Sequence, residues 1–113
     1  MTTVYGIANC DTVKKARALL AERGVAYRFH DFRKDGLPPD RLDAWLGSAG
    51  VQKLLNRQGL TWRRLDASDQ ARAAEAAGAR ALLLEQPTLV KRPVIEWDDG
   101  RITVGLDPVN WPR

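Results

Sequence analysis

The spacing of apolar and polar positions predicts a strand, a helix and a second strand in the first third of the chain. Residues 3–7 form a short β-branched and aromatic run that ends in a turn, which predicts a strand. Apolar side chains then recur at helical spacing at Val13, Ala16, Leu19 and Leu20. Asp11 or Thr12 is the expected N-cap of this helix, and Gly24 is its expected C-cap. Residues 26–32 predict the second strand, and the crossover implies a parallel pair.

The middle of the chain has the pattern of several short helices. Pro39 is expected to begin the first, because proline is well suited to the first turn of a helix. A second short apolar helix is predicted over residues 51–55, and residues 56–66 are predicted to form a polar, basic loop. Ser68 or Asp69 is then expected to cap an Ala-rich helix.

The end of the helical block and the C-terminal region complete the pattern. Gly78 is expected to interrupt the Ala-rich helix, which resumes over residues 79–86 and ends at Pro87. Residues 94–97 and 101–104 predict two strands joined by a turn at Asp98-Asp99-Gly100. The tail contains two prolines and is predicted to be irregular.

The order β-α-β, helical block, β-hairpin matches the plan of a thioredoxin-like α/β fold. Its sheet would be mixed, with a helical insertion between strands 2 and 3 over about residues 38–86. A general α/β arrangement fits the spacing nearly as well. The length of 113 residues and the apolar fraction of 44% predict one globular domain over residues 1–113.

Cysteine content and charge exclude several classes of protein. The chain has one Cys, so it cannot hold an intramolecular disulfide, a Cys-rich zinc module or a two-Cys redox pair. With a single His as well, no metal ligands are expected. The 18 Lys and Arg against 14 Asp and Glu give a net charge of +4, spread along the chain. This mild excess suits a small anionic ligand better than a nucleic acid.

The location and the partners follow from what the sequence does not contain. The first residues lack the features of a signal peptide, and no apolar run approaches the ~18 residues that a membrane span needs. We therefore expect a cytoplasmic monomer without a nucleic-acid or membrane partner.

Cys10 is the most informative residue for chemistry. It lies after the first predicted strand and before the first helix, where the positive end of the helix dipole favours a thiolate. Lys14 and two further cations in the next turns add positive charge. The alternative is a buried, inert Cys that behaves as a small hydrophobic residue. Position alone leaves the two balanced, although the polar neighbours Asn9 and Asp11 argue against burial.

Three other positions each allow a functional and a structural interpretation. Residues 56–64 contain three Arg and Trp62, which could clamp an oxyanion or a carboxylate, but a solvated basic loop is favoured from the pattern alone. Pro93 could be a cis proline that exposes the backbone before it, although only ~5–6% of such bonds are cis. His30 is expected to be structural or exposed.

Six segments taken together resemble the ArsC/Spx/YffB family. They are YGIANCDTVKKA at 5–16, FHDF at 29–32, DGL at 35–37, LLNR at 54–57, TWRRLD at 61–66 and KRP at 91–93. The segments follow the family's order over nearly the whole chain and are most similar to the YffB branch. The resemblance implies a thioredoxin-like fold, a cis Pro93 and a redox thiol at Cys10. The residues it assigns to binding of substrate or glutathione are Asn9, Thr12, Lys14, Arg57, Arg92 and Pro93.

The activity implied by the resemblance is that of a glutathione-dependent thiol reductase. Cys10 would form a covalent adduct that glutathione, acting as co-substrate, resolves; no tightly bound cofactor is expected. Glutaredoxin and an oxidised thiol or oxyanion substrate are the other implied partners. One alternative is a glutathione- and glutaredoxin-dependent arsenate reductase. Another is an Spx-like regulator that binds RNA polymerase without catalysis.

Departures from the family pattern separate these alternatives. The arsenate reductases of this group use three Arg around the oxyanion. Arg92 matches one, Arg57 is displaced by about one position from another, and no Arg stands near residues 104–106. Spx-type regulators often carry a Cys-x-x-Cys switch, but Val13 occupies the fourth position of that motif here, where its second Cys would stand. Family chains usually end in a helix, which this tail is predicted to lack.

Overall fold

The computed structural model describes residues 1–112, which form two compact units. Among these residues, the sheet unit is made of 1–36 and 92–112, and the helical unit is Leu37–Lys91. The sheet unit contains β1 (Thr2–Gly6), α1 (Asp11–Glu22), β2 (Tyr27–Asp31), α2 (Phe32–Asp35), β3 (Val94–Glu96), β4 (Ile102–Val104) and a 3-10 turn (Pro108–Asn110). The helical unit contains α3 (Pro39–Ala49), α4 (Val51–Leu54), α5 (Leu60–Arg64), α6 (Ala67–Ala71), α7 (Ala76–Glu85) and two 3-10 turns (Arg72–Ala74 and Pro87–Leu89).

The sheet has four strands in the order β2-β1-β3-β4. β1 is parallel to β2, with Val4 opposite Phe29, and antiparallel to β3, with Val4 opposite Ile95. β3 and β4 form an antiparallel hairpin. The structure therefore confirms the predicted mixed α/β sheet, built from a β-α-β unit and a C-terminal hairpin.

Helix α1 packs on one face of this sheet through a buried apolar cluster. The cluster consists of Val4, Ala16, Leu20, Ile95, Trp97 and Trp111. The tail contains only a short 3-10 turn between residues 105 and 112, in agreement with the predicted irregular tail. The periodicity did not identify Trp111 as a core residue, yet its ring lies 5.4 Å from that of Trp97. The tail thus completes the core through one aromatic side chain.

The first helix of the helical unit, α3, begins at Pro39 as predicted, and an ion pair joins it to α7. Leu42 and Trp45 on α3 are fully buried. Arg80 of α7 donates from Nε to Oδ1 of Asp43 on α3, at 2.7 Å. No helix formed by residues 1–112 is both long and apolar enough to cross a membrane.

Two predictions for the helical unit are wrong for local reasons. Residues 56–66 were expected to be a loop but contain α5, a helix of five residues that is too short to show apolar periodicity. The N-cap of α6 is Asp66, not Ser68 or Asp69. Its carboxylate accepts hydrogen bonds from the Ser68 hydroxyl and the Asp69 N–H, both at 2.8 Å. Ser68 and Asp69 are therefore donors to the cap and do not cap the helix themselves.

The sequence predicts that Gly78 interrupts a helix. In the structure Gly78 instead lies inside α7. A Cβ at this position would stand 2.2 Å from the backbone oxygen of Arg72, in the preceding 3-10 turn. Gly78 therefore allows α7 to approach that turn more closely than any residue with a side chain would.

Candidate functional site

Cys10 is the N-cap residue of α1, although Asp11 or Thr12, one and two positions later, was the predicted cap. Its backbone is extended, with φ −117° and ψ 123°, and its carbonyl accepts the Lys14 N–H at 2.9 Å. Its side chain makes no capping hydrogen bond and is partly exposed. The thiol is therefore not the inert buried group of the alternative interpretation, and it belongs to the residue that opens a twelve-residue helix.

Of the cations that follow Cys10 along α1, Lys14 and Arg17 have different surroundings. Lys14 is exposed. Arg17, in contrast, turns toward β2, where its guanidinium carbon lies 4.0 Å from the ring centre of Phe29 and its Nε donates to the Tyr27 hydroxyl at 3.1 Å. Arg17 therefore has a structural partner, and Lys14 remains a cation for the first turn.

Close packing between β1 and α1 fixes the position of the loop that carries Cys10. A Cβ on Gly6, the last residue of β1, would lie 2.8 Å from Cγ2 of Val13. Val13 is fully buried in α1 and its β-branched side chain is stiff. The absence of a side chain at Gly6 therefore lets the helix begin directly above the end of the strand.

Asp31, which the sequence did not single out, connects this loop to the next helix. One carboxylate oxygen accepts the Ala8 N–H at 3.3 Å, and the other accepts the Arg33 N–H at 2.8 Å as the N-cap of α2. Burial alone would raise the pKa of Asp31. The hydrogen bonds from Arg33 and Ala8 and the charge of Lys34 outweigh burial, so the pKa lies below its ordinary value of 3.8. Asp31 is a positioning residue for the Cys10 loop.

Asp31→Ala is expected to lower the free energy of unfolding at pH 7 by about 1–2 kcal/mol, the usual effect of losing a cap. Because the folded-state pKa is depressed, this stabilisation is present above pH 3.8 and is lost as the pH falls through the folded-state value. The difference in stability between the wild type and the variant should therefore shrink at about pH 3. Urea unfolding at both pH values measures it.

Asp31→Asn is the matched control, since asparagine also caps helices well. It should keep most of the stability at pH 7 while removing the pH-dependent part of the difference. A gap between the wild type and Asp31→Ala that is unchanged at about pH 3 would contradict the role of the ionised carboxylate.

Arg92 and Pro93 lie at the edge of the sheet where β1 ends. Tyr5 of β1 is opposite Val94, the first residue of β3, so the residues just before β3 lie at the same edge as the loop that follows β1. The bond between Arg92 and Pro93 is cis, which confirms the expectation from the resemblance. The Pro93 carbonyl accepts the Gly105 N–H at 2.8 Å.

The predicted site residues fall into both units. The sheet unit carries Asn9, Cys10, Thr12, Lys14, Arg92 and Pro93. Asn9 is exposed beside the thiol, and Thr12 is half-buried in the first turn of α1. Arg57 belongs to the helical unit, where its guanidinium carbon lies 5.4 Å from the ring centre of Trp62.

His30 has structural contacts. Its Nε2 lies 2.8 Å from the Gly36 carbonyl oxygen, and its ring lies 5.0 Å from that of Tyr5. These contacts agree with the structural role that the sequence suggested.

Comparison with known proteins identifies relatives over almost the whole chain. Residues 5–112 match the sequence model of the ArsC family. The solved structure of a YFFB protein is 44% identical, covers 96% of this chain and 94% of its own, and superposes with a TM-score of 0.90. The solution structure of an arsenate reductase (ArsC) related protein from Brucella melitensis is 47% identical, with coverage of 96% and 88% and a TM-score of 0.76.

A transcriptional regulator is a more distant relative. The global transcriptional regulator Spx from Streptococcus pyogenes is 25% identical over 109 residues, which are 95% of this chain and 79% of the regulator. The matches thus include both arsenate reductase-related proteins and a regulator.

Proposed function

Since the chain belongs to the ArsC family, with an arsenate reductase-like fold, we propose that it is a glutathione-dependent thiol reductase with Cys10 as its nucleophile. The observation that carries the proposal is the position of the chain's single thiol. Cys10 is partly exposed at the N-terminus of α1, where the free N–H groups and the helix dipole favour a thiolate. It stands at the sheet edge to which Arg92 also belongs.

The proposed reaction is an exchange between a thiolate and a glutathione mixed disulfide. The Cys10 thiolate attacks the glutathione sulfur, the S–S bond of the substrate breaks, and the released thiolate takes a proton from solvent. Cys10 is then joined to glutathione. A second glutathione thiolate attacks this adduct, which regenerates the Cys10 thiolate and yields glutathione disulfide. One free glutathione is consumed and one glutathione disulfide is formed for each mixed disulfide that is reduced.

The cations near the site are assigned to binding. Lys14 and the N-terminus of α1 hold the thiolate, with Asn9 and Thr12 beside it. Arg92 in the sheet unit and Arg57 in the helical unit are each assigned to an anionic group of substrate or glutathione, because guanidinium N–H groups pair with carboxylates in a bidentate manner. The cytoplasm, where thiols are kept reduced by glutathione, is the proposed location.

Turnover of a glutathione mixed disulfide tests the proposal. Oxidation of glutathione is followed through glutathione reductase and NADPH, and the adduct is followed by intact mass. Without free glutathione we expect one glutathione per chain, and its addition should remove the adduct. A chain that gains no glutathione and shows no turnover would contradict the proposal.

Arsenate reduction is a second candidate because Arg92 and the relative from Brucella melitensis point to it. Val104, Gly105 and Leu106 place no cation in the region where the third Arg of the arsenate reductases falls. The same coupled assay with arsenate and glutaredoxin decides between them. Faster turnover with arsenate than with the mixed disulfide would favour the second candidate.

A regulatory role is the third candidate and rests on the similarity to Spx. Val13 stands where the second Cys of an Spx redox switch would be. Retention of RNA polymerase by the immobilised chain, together with no thiol turnover, would favour it.

A further inference from the structure

A cationic pocket lies on the helical unit, with a volume of about 210 Å³. It is lined by Gln52, Lys53, Leu55, Asn56, Arg57, Gln58 and Lys91. Leu55, the lining's one apolar residue, is only 4% exposed. The pocket therefore offers a ligand positive charges and amides rather than an apolar wall.

A short backbone bridge brings the cations of this pocket together from two distant segments. Leu55 and Val90 form an isolated antiparallel bridge. The Asn56 N–H donates to the Leu89 carbonyl at 2.8 Å, and the Lys91 N–H donates to the Leu54 carbonyl at 2.7 Å. The segment with Lys53 and Arg57 is thereby fixed beside the segment that ends in Lys91.

Local contacts restrict the movement of Arg57, one of the three cations of the pocket. The Asn56 Oδ1 accepts the Gln58 N–H at 3.0 Å, which closes an Asx-turn around Arg57. The Arg57 guanidinium carbon is 5.4 Å from the ring centre of Trp62. The guanidinium is thus partly ordered before any ligand arrives, which reduces the entropy cost of binding.

The three cations of the pocket have no acidic partners in the structure described here. Among residues 1–112, no carboxylate oxygen lies within the 4.0 Å ion-pair distance of Lys53, Arg57 or Lys91. Arg72 and Arg80 in the same unit are paired with Glu85 and Asp43. Three neighbouring positive charges without a counter-charge repel one another, and an anion would remove that repulsion.

We propose that this pocket binds a small anion that carries two or more negative charges on phosphoryl or carboxylate oxygens. Its volume is below the roughly 300–1,000 Å³ of pockets for drug-sized ligands, so a compact anion fits it best. Arg57 holds that anion together with Lys53 and Lys91. The Cys10 thiol takes no part in this binding, and Arg57 is the one residue of the pocket that is also proposed above to bind an anionic group of substrate or glutathione.

Titration of the ¹⁵N-labelled chain with pyrophosphate and with citrate tests the proposal, with acetate as the singly charged comparison. We expect saturable shifts of the backbone amides of residues 52–58 and 91, with at least tenfold tighter binding of a polyvalent probe than of acetate. Added NaCl should weaken the binding, since salt screens these charges. Tighter binding of pyrophosphate would identify a phosphoryl ligand, and tighter binding of citrate a polycarboxylate.

Charge-matched variants separate the pocket from general attraction to a basic protein. The double variant Lys53→Gln/Lys91→Gln should bind the probe at least tenfold more weakly, and Lys91→Gln alone several-fold more weakly. Arg28→Gln/Arg63→Gln removes the same charge at exposed positions outside the pocket and should bind within about twofold of the wild type.

Two outcomes would overturn the proposal. One is the absence of saturable shifts at these amides, and the other is equal weakening in both double variants. Cys10→Ser should bind the probes as the wild type does. The anion titration can therefore succeed even if the thiol reductase assay fails, so the two proposals are tested independently.

Discussion

Cys10→Ser is expected to abolish the glutathione adduct and to lower turnover of a glutathione mixed disulfide by at least about 10³-fold. A serine hydroxyl stays protonated at neutral pH and cannot form a disulfide, whereas the reaction requires a thiolate. Cys10 is the chain's single cysteine, so no other residue can replace it. Intact mass measures the adduct, and oxidation of NADPH through glutathione reductase measures turnover.

The fold should survive this substitution. The Cys10 side chain is partly exposed and makes no capping hydrogen bond, and serine is one of the best N-cap residues. Cys10→Ser is therefore expected to match or exceed the wild type in stability by up to about 1 kcal/mol. Cys10→Ala should lose the same activity without this gain. A Cys10→Ser chain that still takes up one glutathione would refute the assignment of the nucleophile.

Gly78→Ala is expected to lower the free energy of unfolding by about 3 kcal/mol, at the upper end of overpacking effects. The new Cβ would lie 2.2 Å from the Arg72 carbonyl oxygen and 3.1 Å from its carbonyl carbon, and both are backbone atoms. Relief therefore requires α7 to move away from the 3-10 turn. Arg72 and Glu85 pair through Nη1 and Oε1 at 3.1 Å, and this contact ties that turn to the end of α7.

Gly47→Ala provides a matched control in the same unit. Gly47 is also inside a helix, is exposed, and has no other atom within 4 Å of its would-be Cβ. Alanine has the higher helix propensity, so this variant should gain up to about 1 kcal/mol. Urea unfolding of both variants gives the comparison. Destabilisation of similar size in both would show that the contact with Arg72 is not the cause.

The sheet unit was predictable because its elements carry strong local signals. Residues 3–7, the apolar stripe of α1 and the Asp98-Asp99-Gly100 turn each specify their structure within a few residues, and the crossover rule then sets the parallel pair. The helical unit was less predictable. Its α5 has only five residues, too few to show an apolar period. Gly78 lies inside α7 because, without a Cβ, it can approach the backbone of Arg72 closely, and the spacing of apolar residues does not reveal such a contact.

The candidate site divides in the same way. Cys10 could be found because a lone cysteine between a strand and a helix is visible in one short segment. Asp31 was not identified, because its bond to Ala8 joins residues 23 positions apart. Its sequence signal is an acidic residue just before the short helix FRKD, which is typical of an N-cap. Lys53 and Lys91 come together through the bridge between Leu55 and Val90, which periodicity does not show.

The pairing of β1 with β3 has a consequence for synthesis on the ribosome. Tyr5 and Glu96 are hydrogen-bonded although 91 positions separate them, whereas the helical unit draws on one continuous stretch, Leu37–Lys91. At roughly 5–20 residues per second, the 91 positions between Tyr5 and Glu96 take about 5–18 s to synthesise. One edge of β1 stays open during that interval, and closing so long a loop carries a further entropy cost. The nascent chain therefore holds a central strand with one edge unpaired for most of its translation.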